Sequence, residues 1–228
     1  FKHLGVSDGL SQVCIPSIYQ DELGAVWLGT TEGLNRYNGK DVRVFQPSES
    51  NHGLTNNEIN ELCGDKNGRM YIRSGNDLIK LDIYTEQFTC LRQKGVYGLF
   101  CKKDTLWVSC ADGIYYYTGQ GTELTFFARV QKGFVGRALY VDKETVWVVT
   151  RKYLVAISRE DPLRQEILLT LDKGNCILGD SSGNIWVGAW NGLYRVSPDR
   201  ETTAYVSHSG MGELSDNQVR CVLEDDFK

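Results

Sequence analysis

The sequence predicts an all-β protein, a β-propeller built from four-stranded antiparallel blades of about 40 residues. Three observations predict it. A motif of the form Asp-x-x-Gly-x-apolar-aromatic recurs along the chain. The short segments around its aromatic residue are apolar on successive positions, as in Leu106-Trp107-Val108 and Ile185-Trp186-Val187. A sheet with one wet face would alternate, so these strands belong to sheets covered on both faces. The composition, 24 Gly, 12 Tyr and 5 Trp against 4 Pro, favours strands joined by tight turns.

The motif stands in full at Asp21 to Trp27, Asp65 to Tyr71 and Asp180 to Trp186. Shorter versions end at Trp107 and Trp147. The five aromatic anchors, Trp27, Tyr71, Trp107, Trp147 and Trp186, are 44, 36, 40 and 39 residues apart. Seven residues after each comes Leu34, Leu78, Ile114, Leu154 or Leu193. Upstream, Leu10, Leu54 and Leu214 each lie 11 residues before Asp21, Asp65 or Asp225, and Phe1, Phe45 and Tyr205 each lie nine before the leucine. A helical solenoid is excluded, because turn signals interrupt the chain every few residues.

Each repeat then reads as four strands in order. The stretch before the Asp is β-prone, for example Val135 to Val141 and Asn217 to Leu223. The Asp-x-x-Gly segment is a turn: the carboxylate bonds the backbone ahead of it, and Gly24, Gly68 and Gly183 tolerate positive φ. The second strand carries the aromatic, as in Val26-Trp27-Leu28, and the large ring is expected to fill the space between blades. A turn such as Thr31-Glu32-Gly33 or Trp190-Asn191-Gly192 leads into the third strand, Leu34 to Tyr37 or Leu193 to Val196. Asn38-Gly39 is a hairpin signal, and Val42 to Phe45 is the fourth strand.

The predicted blades run over 11–46, 54–92, 95–129, 133–171 and 174–208 of a single, incomplete propeller domain spanning 1–228. Residues 1–5 are expected to be the outer strand of a blade completed elsewhere, and 214–228 the start of a further one. A blade without its middle strands leaves sheet edges open, so a seven-bladed ring is expected, with a closed five-bladed ring as the competing arrangement.

Composition narrows function. The formal charge of −4 gives no electrostatic reason to bind nucleic acid or an anionic membrane. No apolar run is long enough to span a bilayer. The seven cysteines lack CxxC spacing, and they read as small buried hydrophobes rather than zinc ligands or disulfides. His3, His52 and His208 stand alone, so no metal or cofactor is expected. No nucleophile elbow or phosphate loop occurs, and no catalytic residue is assigned. Asp21, Asp65 and Asp180 sit in separate turns, a poor start for glycoside hydrolysis, which needs two carboxyls within about 5–10 Å.

Binding is the better expectation. The Asp turns are uniform, whereas the second-to-third-strand turns at the opposite end vary in sequence. Specificity is usually carried by variable loops on a rigid scaffold. Trp190 is the one tryptophan outside the repeat register, and an exposed indole could stack on a sugar ring. Asn76, Arg151 and Asn191 on the same set of turns are its candidate hydrogen-bonding partners. The opposing reading is that Trp190 packs on the adjacent turn. The Tyr115-Tyr116-Tyr117 run reads as third-strand packing.

The stretch Asp21 to Tyr37 and its counterpart Asp180 to Val196, with lead-ins such as Gly53-Leu54-Thr55-Asn56-Asn57-Glu58-Ile59, resemble the two-component regulator propeller repeat. Trp107 lacks the upstream Gly and Tyr153 replaces the turn Gly, departures that bear on loops. The resemblance implies the N-terminal part of the periplasmic region of a bacterial hybrid two-component sensor. Such regions usually hold two seven-bladed propellers and a β-sandwich, followed by a transmembrane helix, histidine kinase, receiver and DNA-binding domain. Many detect glycan-derived oligosaccharides and signal as homodimers. The implied partners are an oligosaccharide or other small ligand and the rest of the same inner-membrane protein. A protein-interaction scaffold, and less so a polysaccharide lyase or hydrolase, are the alternatives.

Overall fold

The computed structural model describes residues 3–47, 53–207 and 214–225. Phe1, His52 and His208 lie outside them. Among the described residues twenty strands form five four-stranded antiparallel sheets, each a simple meander. The first comprises β1 (Ser17–Gln20), β2 (Val26–Thr30), β3 (Gly33–Tyr37) and β4 (Val42–Phe45). The second comprises β5 (Ile59–Gly64), β6 (Arg69–Ser74), β7 (Asp77–Asp82) and β8 (Gln87–Arg92). The third comprises β9 (Val96–Lys102), β10 (Thr105–Cys110), β11 (Gly113–Tyr117) and β12 (Thr125–Ala128). The fourth comprises β13 (Gly136–Val141), β14 (Thr145–Thr150), β15 (Tyr153–Ser158) and β16 (Gln165–Thr170). The fifth comprises β17 (Cys176–Gly179), β18 (Ile185–Ala189), β19 (Gly192–Val196) and β20 (Thr202–Tyr205).

The chain divides into two compact units, residues 1–108 with 115–125, and residues 109–114 with 126–228. In the first, one core joins the first two sheets: Trp27 and Leu34 pack with Ile59, Met70, Ile72 and Ile79, all buried. In the second, Trp147, Val149 and Leu154 of the fourth sheet pack with Ile185, Val187 and Val196 of the fifth. The second-strand ring therefore lies between two sheets in both units. That is why these strands are apolar on both faces: β14 is buried at all six positions.

The Asp turns are built around the aromatic anchors. Asp21 Oδ1 accepts the backbone N–H groups of Leu23 and Ala25, while Oδ2 accepts the Trp27 indole N–H at 2.8 Å. Asp180 repeats this with Ser182, Asn184 and Trp186, the last also at 2.8 Å. The shortened turn of the fourth sheet keeps the arrangement: Asp142 takes Glu144 and Thr145 N–H on one oxygen and the Trp147 indole at 2.6 Å on the other. Where Tyr71 replaces tryptophan, no indole exists, and the Arg69 guanidinium occupies the second oxygen of Asp65 instead. The recurrent carboxylates are thus spent on turn and ring.

A second device recurs between first strands. The ring of Tyr19 on β1 lies against Gly64 on β5, so close that a Cβ there would meet the phenol oxygen at 2.2 Å. Tyr140 on β13 lies against Gly179 on β17 in the same way, at 2.1 Å from such a Cβ. Each glycine directly precedes its turn aspartate, so the contact holds one register.

One expectation differs. Asn217 to Leu223 was expected to form a first strand, yet no strand is assigned among the described residues 214–225. Val219 donates its N–H to the carbonyl of Ala189 at 2.9 Å. Its side chain lies over Gly188, as Ile59 lies over Gly29 in the first unit. The segment has the seat of a first strand on the fifth sheet. A strand is defined by a ladder, and no partner strand is assigned beside it among the described residues.

Candidate functional site

In a meander the β2–β3 type of turn and the connection from one sheet to the next lie at the same end. At that end of the first and fourth sheets, buried Thr30 and Thr150 close the turn with their hydroxyls. Thr30 accepts Glu32 N–H and donates to Gly33 O, and Thr150 accepts the N–H groups of Lys152 and Tyr153. In the second sheet Ser74 at the equivalent place bonds both polar backbone atoms of Asn56. In the fifth sheet that position is Ala189, which has no hydroxyl. Its turn is held instead from the neighbouring connection: Trp190 N–H donates to Asp172 O at 2.9 Å, and Asp172 N–H donates to Asn191 Oδ1 at 3.0 Å.

This bracing presents Trp190 as a shelf. Its side chain keeps 39% of its surface exposed, against 0% for the repeat-register Trp27. The Lys173 ammonium stands 3.6 Å from the ring centroid, a close cation–π contact. Asn175 and Arg220 complete a cleft of about 400 Å³ around the ring. Asn175 is fixed by donating its backbone N–H to Gly188 O and its side-chain amide to Val219 O. Arg220 is exposed. An aromatic face beside two cations and an amide suits a ligand with an apolar ring face and an anionic or hydroxylated edge.

Of the residues singled out from sequence, Trp190 lines the cleft. Asn191 stands beside it, but its side-chain oxygen holds the Asp172 backbone. Arg151 is exposed in the β14–β15 turn, and its carbonyl accepts Gly174 N–H at 3.2 Å, next to the loop that carries Lys173. Asn76 belongs to the other compact unit, exposed in the β6–β7 turn, where its carbonyl accepts Val96 N–H. Lys173, Asn175 and Arg220 were missed, since none falls in the repeat motif. The available signal was negative: Ala189 stands where the first, second and fourth sheets have Thr30, Ser74 and Thr150 and the third has Cys110.

A larger recess of about 850 Å³ lies at the Asp-turn end of the second unit, between the β13–β14 turn and the β15–β16 loop. Two of its cations are already engaged. Arg200 pairs with Glu166, and Arg159 donates to the carbonyls of Asp142 and Lys143 at 2.9 Å. It offers no aromatic shelf, and the smaller cleft is the better candidate.

Burial is the largest cause of the shifts near the cleft. Burial pushes the Cys176 thiol, beside Asn175, up to about 11, and burial also raises the Tyr194 phenol. In the first unit, burial lifts the Glu61 carboxyl to about 7 against the pull of Arg73, which bonds it at 3.3 Å. Among the described residues no group of three or more His, Cys, Asp or Glu is placed to hold a metal. No helix among them is long and apolar enough to cross a membrane.

The family model described as two component regulator propeller matches residues 9–32, the lead-in and Asp turn of the first sheet. Histidine kinase P4 of Formosa agariphila is 39% identical over 46 residues, which is 20% of this chain and 3% of that protein. The extracellular domain of the putative hybrid two component system BT3049 from B. thetaiotaomicron superposes with a TM-score of 0.78 at 23% identity, over 89% of this chain and 31% of that one. The extracellular domain of the putative one component system BT4673 from the same organism gives 0.72 at 20% identity, over 88% and 32%. The fold is therefore that of the β-propeller. The chain spans about a third of these structures and a small part of the histidine kinase.

Proposed function

For a chain that carries the two component regulator propeller repeat, we propose a role as the ligand-sensing module of a hybrid two-component signalling protein. The module lies outside the cytoplasm, in the periplasm, and forms part of a longer inner-membrane protein. It performs no catalysis itself. Its ligand is a glycan-derived oligosaccharide, and the Trp190 cleft contributes to holding it. The repeat match carries the signalling part of this reading, and the Trp190 shelf with Lys173, Asn175 and Arg220 carries the binding part.

Physically, the module converts binding into a shift between two arrangements. A ligand that contacts the Trp190 loop and the 214–225 segment together favours the arrangement in which that segment is seated on the fifth sheet. It moves the equilibrium only by its difference in affinity for the two states. In the whole protein that equilibrium couples to neighbouring domains and to a homodimer. Further blades complete the propeller to seven.

Calorimetric titration of the whole extracytoplasmic region against neutral and acidic oligosaccharides tests the reading. Saturable binding that Trp190→Ala weakens supports it. No heat across a broad panel overturns the carbohydrate assignment, and cleavage of any fragment overturns the non-enzymatic one.

A further inference from the structure

Between the first and second sheets the seam is filled by one large side chain facing none, Tyr19 on Gly64, and between the fourth and fifth by Tyr140 on Gly179. Cys63 occupies on β5 the place of Tyr19 on β1: each stands two residues before its turn aspartate, and each lies opposite the aromatic anchor of its own sheet, Tyr71 or Trp27. Its neighbour across the next seam, on β9, is not glycine but Cys101. The two sulfurs approach to 2.8 Å. Two medium side chains thus share the volume that one tyrosine takes elsewhere, and both are sulfur.

We propose that Cys63 and Cys101 are a disulfide-forming pair that staples the second sheet to the third. The positions fit. They lie on β5 and β9, first strands that pack against each other, and the sulfurs are already in contact. The bond closes a loop between residues 38 apart in sequence, and it ties neighbouring sheets that share no backbone ladder. All seven cysteines stand as thiols in the structure, and Cys63 and Cys101 are in direct sulfur contact.

The chemistry is thiol–disulfide exchange with a disulfide oxidant, such as an oxidising protein or glutathione disulfide. The thiolate of one cysteine attacks the oxidant's S–S bond and expels one thiolate. The second cysteine, deprotonated, attacks the resulting mixed disulfide and expels the other. The two cysteine sulfurs lose two electrons and two protons in all, and the oxidant is reduced to two thiols. Burial raises the Cys63 thiol well above its ordinary range, so exchange is slow once the sheets have closed. The bridge belongs to the folding of the exported chain. Its presence in the cell rests on the extracytoplasmic placement proposed above, whereas the pairing itself does not.

The test is peptide mapping by mass spectrometry of the full protein, alkylated and digested without reductant. One sample is exported protein from its own membrane. A second is protein isolated reduced, unfolded in denaturant and refolded in the presence of glutathione disulfide. Recovery of most Cys63 in one peptide linked to Cys101, two hydrogens lighter than the separate thiols, is expected in both. Linkage in the glutathione sample alone upholds the pair and removes the extracytoplasmic placement instead. Alkylated Cys63 and Cys101 in both samples, or linkage of either to Cys90 or Cys110, overturns the proposal. Cys101→Ala serves as the control: Cys63 must then be recovered alkylated.

Discussion

The indole of Trp27 and the carboxylate of Asp21 form one unit: the N–H of a fully buried ring donates at 2.8 Å to an oxygen that a turn holds in place. The other oxygen of Asp21 accepts the backbone N–H groups of Leu23 and Ala25. One acid therefore fixes both the hairpin and the orientation of the ring that joins two sheets. Asp142 with Trp147, and Asp180 with Trp186, repeat the relationship.

Removing either partner should be costly for different reasons. Trp27→Ala empties a packed site and is expected to destabilise by about 3–5 kcal/mol. Trp27→Phe keeps most of the bulk but leaves a buried carboxylate oxygen without its donor, for about 1–3 kcal/mol. Asp21→Ala leaves the indole and turn N–H groups without an acceptor, a loss of similar size. Urea denaturation checks all three. Trp27→Phe matching wild type within error would mean that the ring acts by volume alone.

The Asp180 carboxyl adds an acid signature. Burial raises it, but hydrogen bonds from Trp186, Asn184 and Ser182 outweigh that and hold it below its ordinary value. A depressed folded pKa gives stability that is present above the unfolded value of 3.8 and lost as pH falls through the folded one. Asp180→Asn should flatten melting temperature against pH below about 4, while costing stability at neutral pH.

The Tyr19–Gly64 seam predicts a coupled pair. Gly64→Ala places a methyl group 2.2 Å from the Tyr19 oxygen and is expected to cost about 1–3 kcal/mol through overpacking. Tyr19→Phe removes only the phenol oxygen and is expected to lose little. It gives no relief either, because the clash extends to the ring carbons at 2.4 and 3.0 Å. Tyr19→Leu should accommodate the methyl, and the double variant should be more stable than the sum of the singles implies. Additive losses in the double-mutant cycle would show that the two residues do not share the space.

Much of this architecture was legible from the sequence because it repeats. Trp27 and Trp186 stand six residues after an aspartate and Trp147 five, and the spacing reflects a turn and a bond that these three copies share. The site was less legible for the same reason. Lys173 and Asn175 lie 17 and 15 residues before Trp190, and Arg220 lies 30 after it, in segments that carry no motif. Only the connection between sheets brings them to the ring. The engagement of Asn191 with Asp172, 19 residues away, is likewise invisible in a composition or a period. Asn217 to Leu223 has the residues of a strand, but a ladder needs a partner, which local sequence does not reveal.

The Trp190 cleft predicts a separation of binding from stability. Trp190 is a partly exposed turn residue, so Trp190→Ala should change stability by only on the order of 0.5 kcal/mol. It should weaken oligosaccharide binding by about tenfold, roughly 1.4 kcal/mol. Arg220→Ala should weaken acidic fragments and leave neutral ones largely unaffected. Titration calorimetry alongside thermal melts separates the two effects. A Trp190→Ala protein that melts far below wild type would show that the ring holds the turn rather than a ligand.

Glu61 makes the sharpest pH prediction. Its carboxyl, with 27% of the side chain still exposed, sits at about 7 because burial outweighs the attraction of Arg73. In the unfolded chain the group titrates near 4.5. Between those values the folded protein binds more protons than the unfolded one, so stability falls as pH rises from about 4.5 to 7 and levels off above. Glu61→Gln keeps the shape and can still accept a hydrogen bond from Arg73, but it does not titrate. The variant should lose that slope, and its advantage over wild type should grow toward neutral pH. Melting temperatures across pH 4 to 8, compared at constant ionic strength, measure it. Parallel profiles for the two proteins would mean that Arg73 keeps Glu61 ionised throughout, with the ion pair stronger than the cost of burying it.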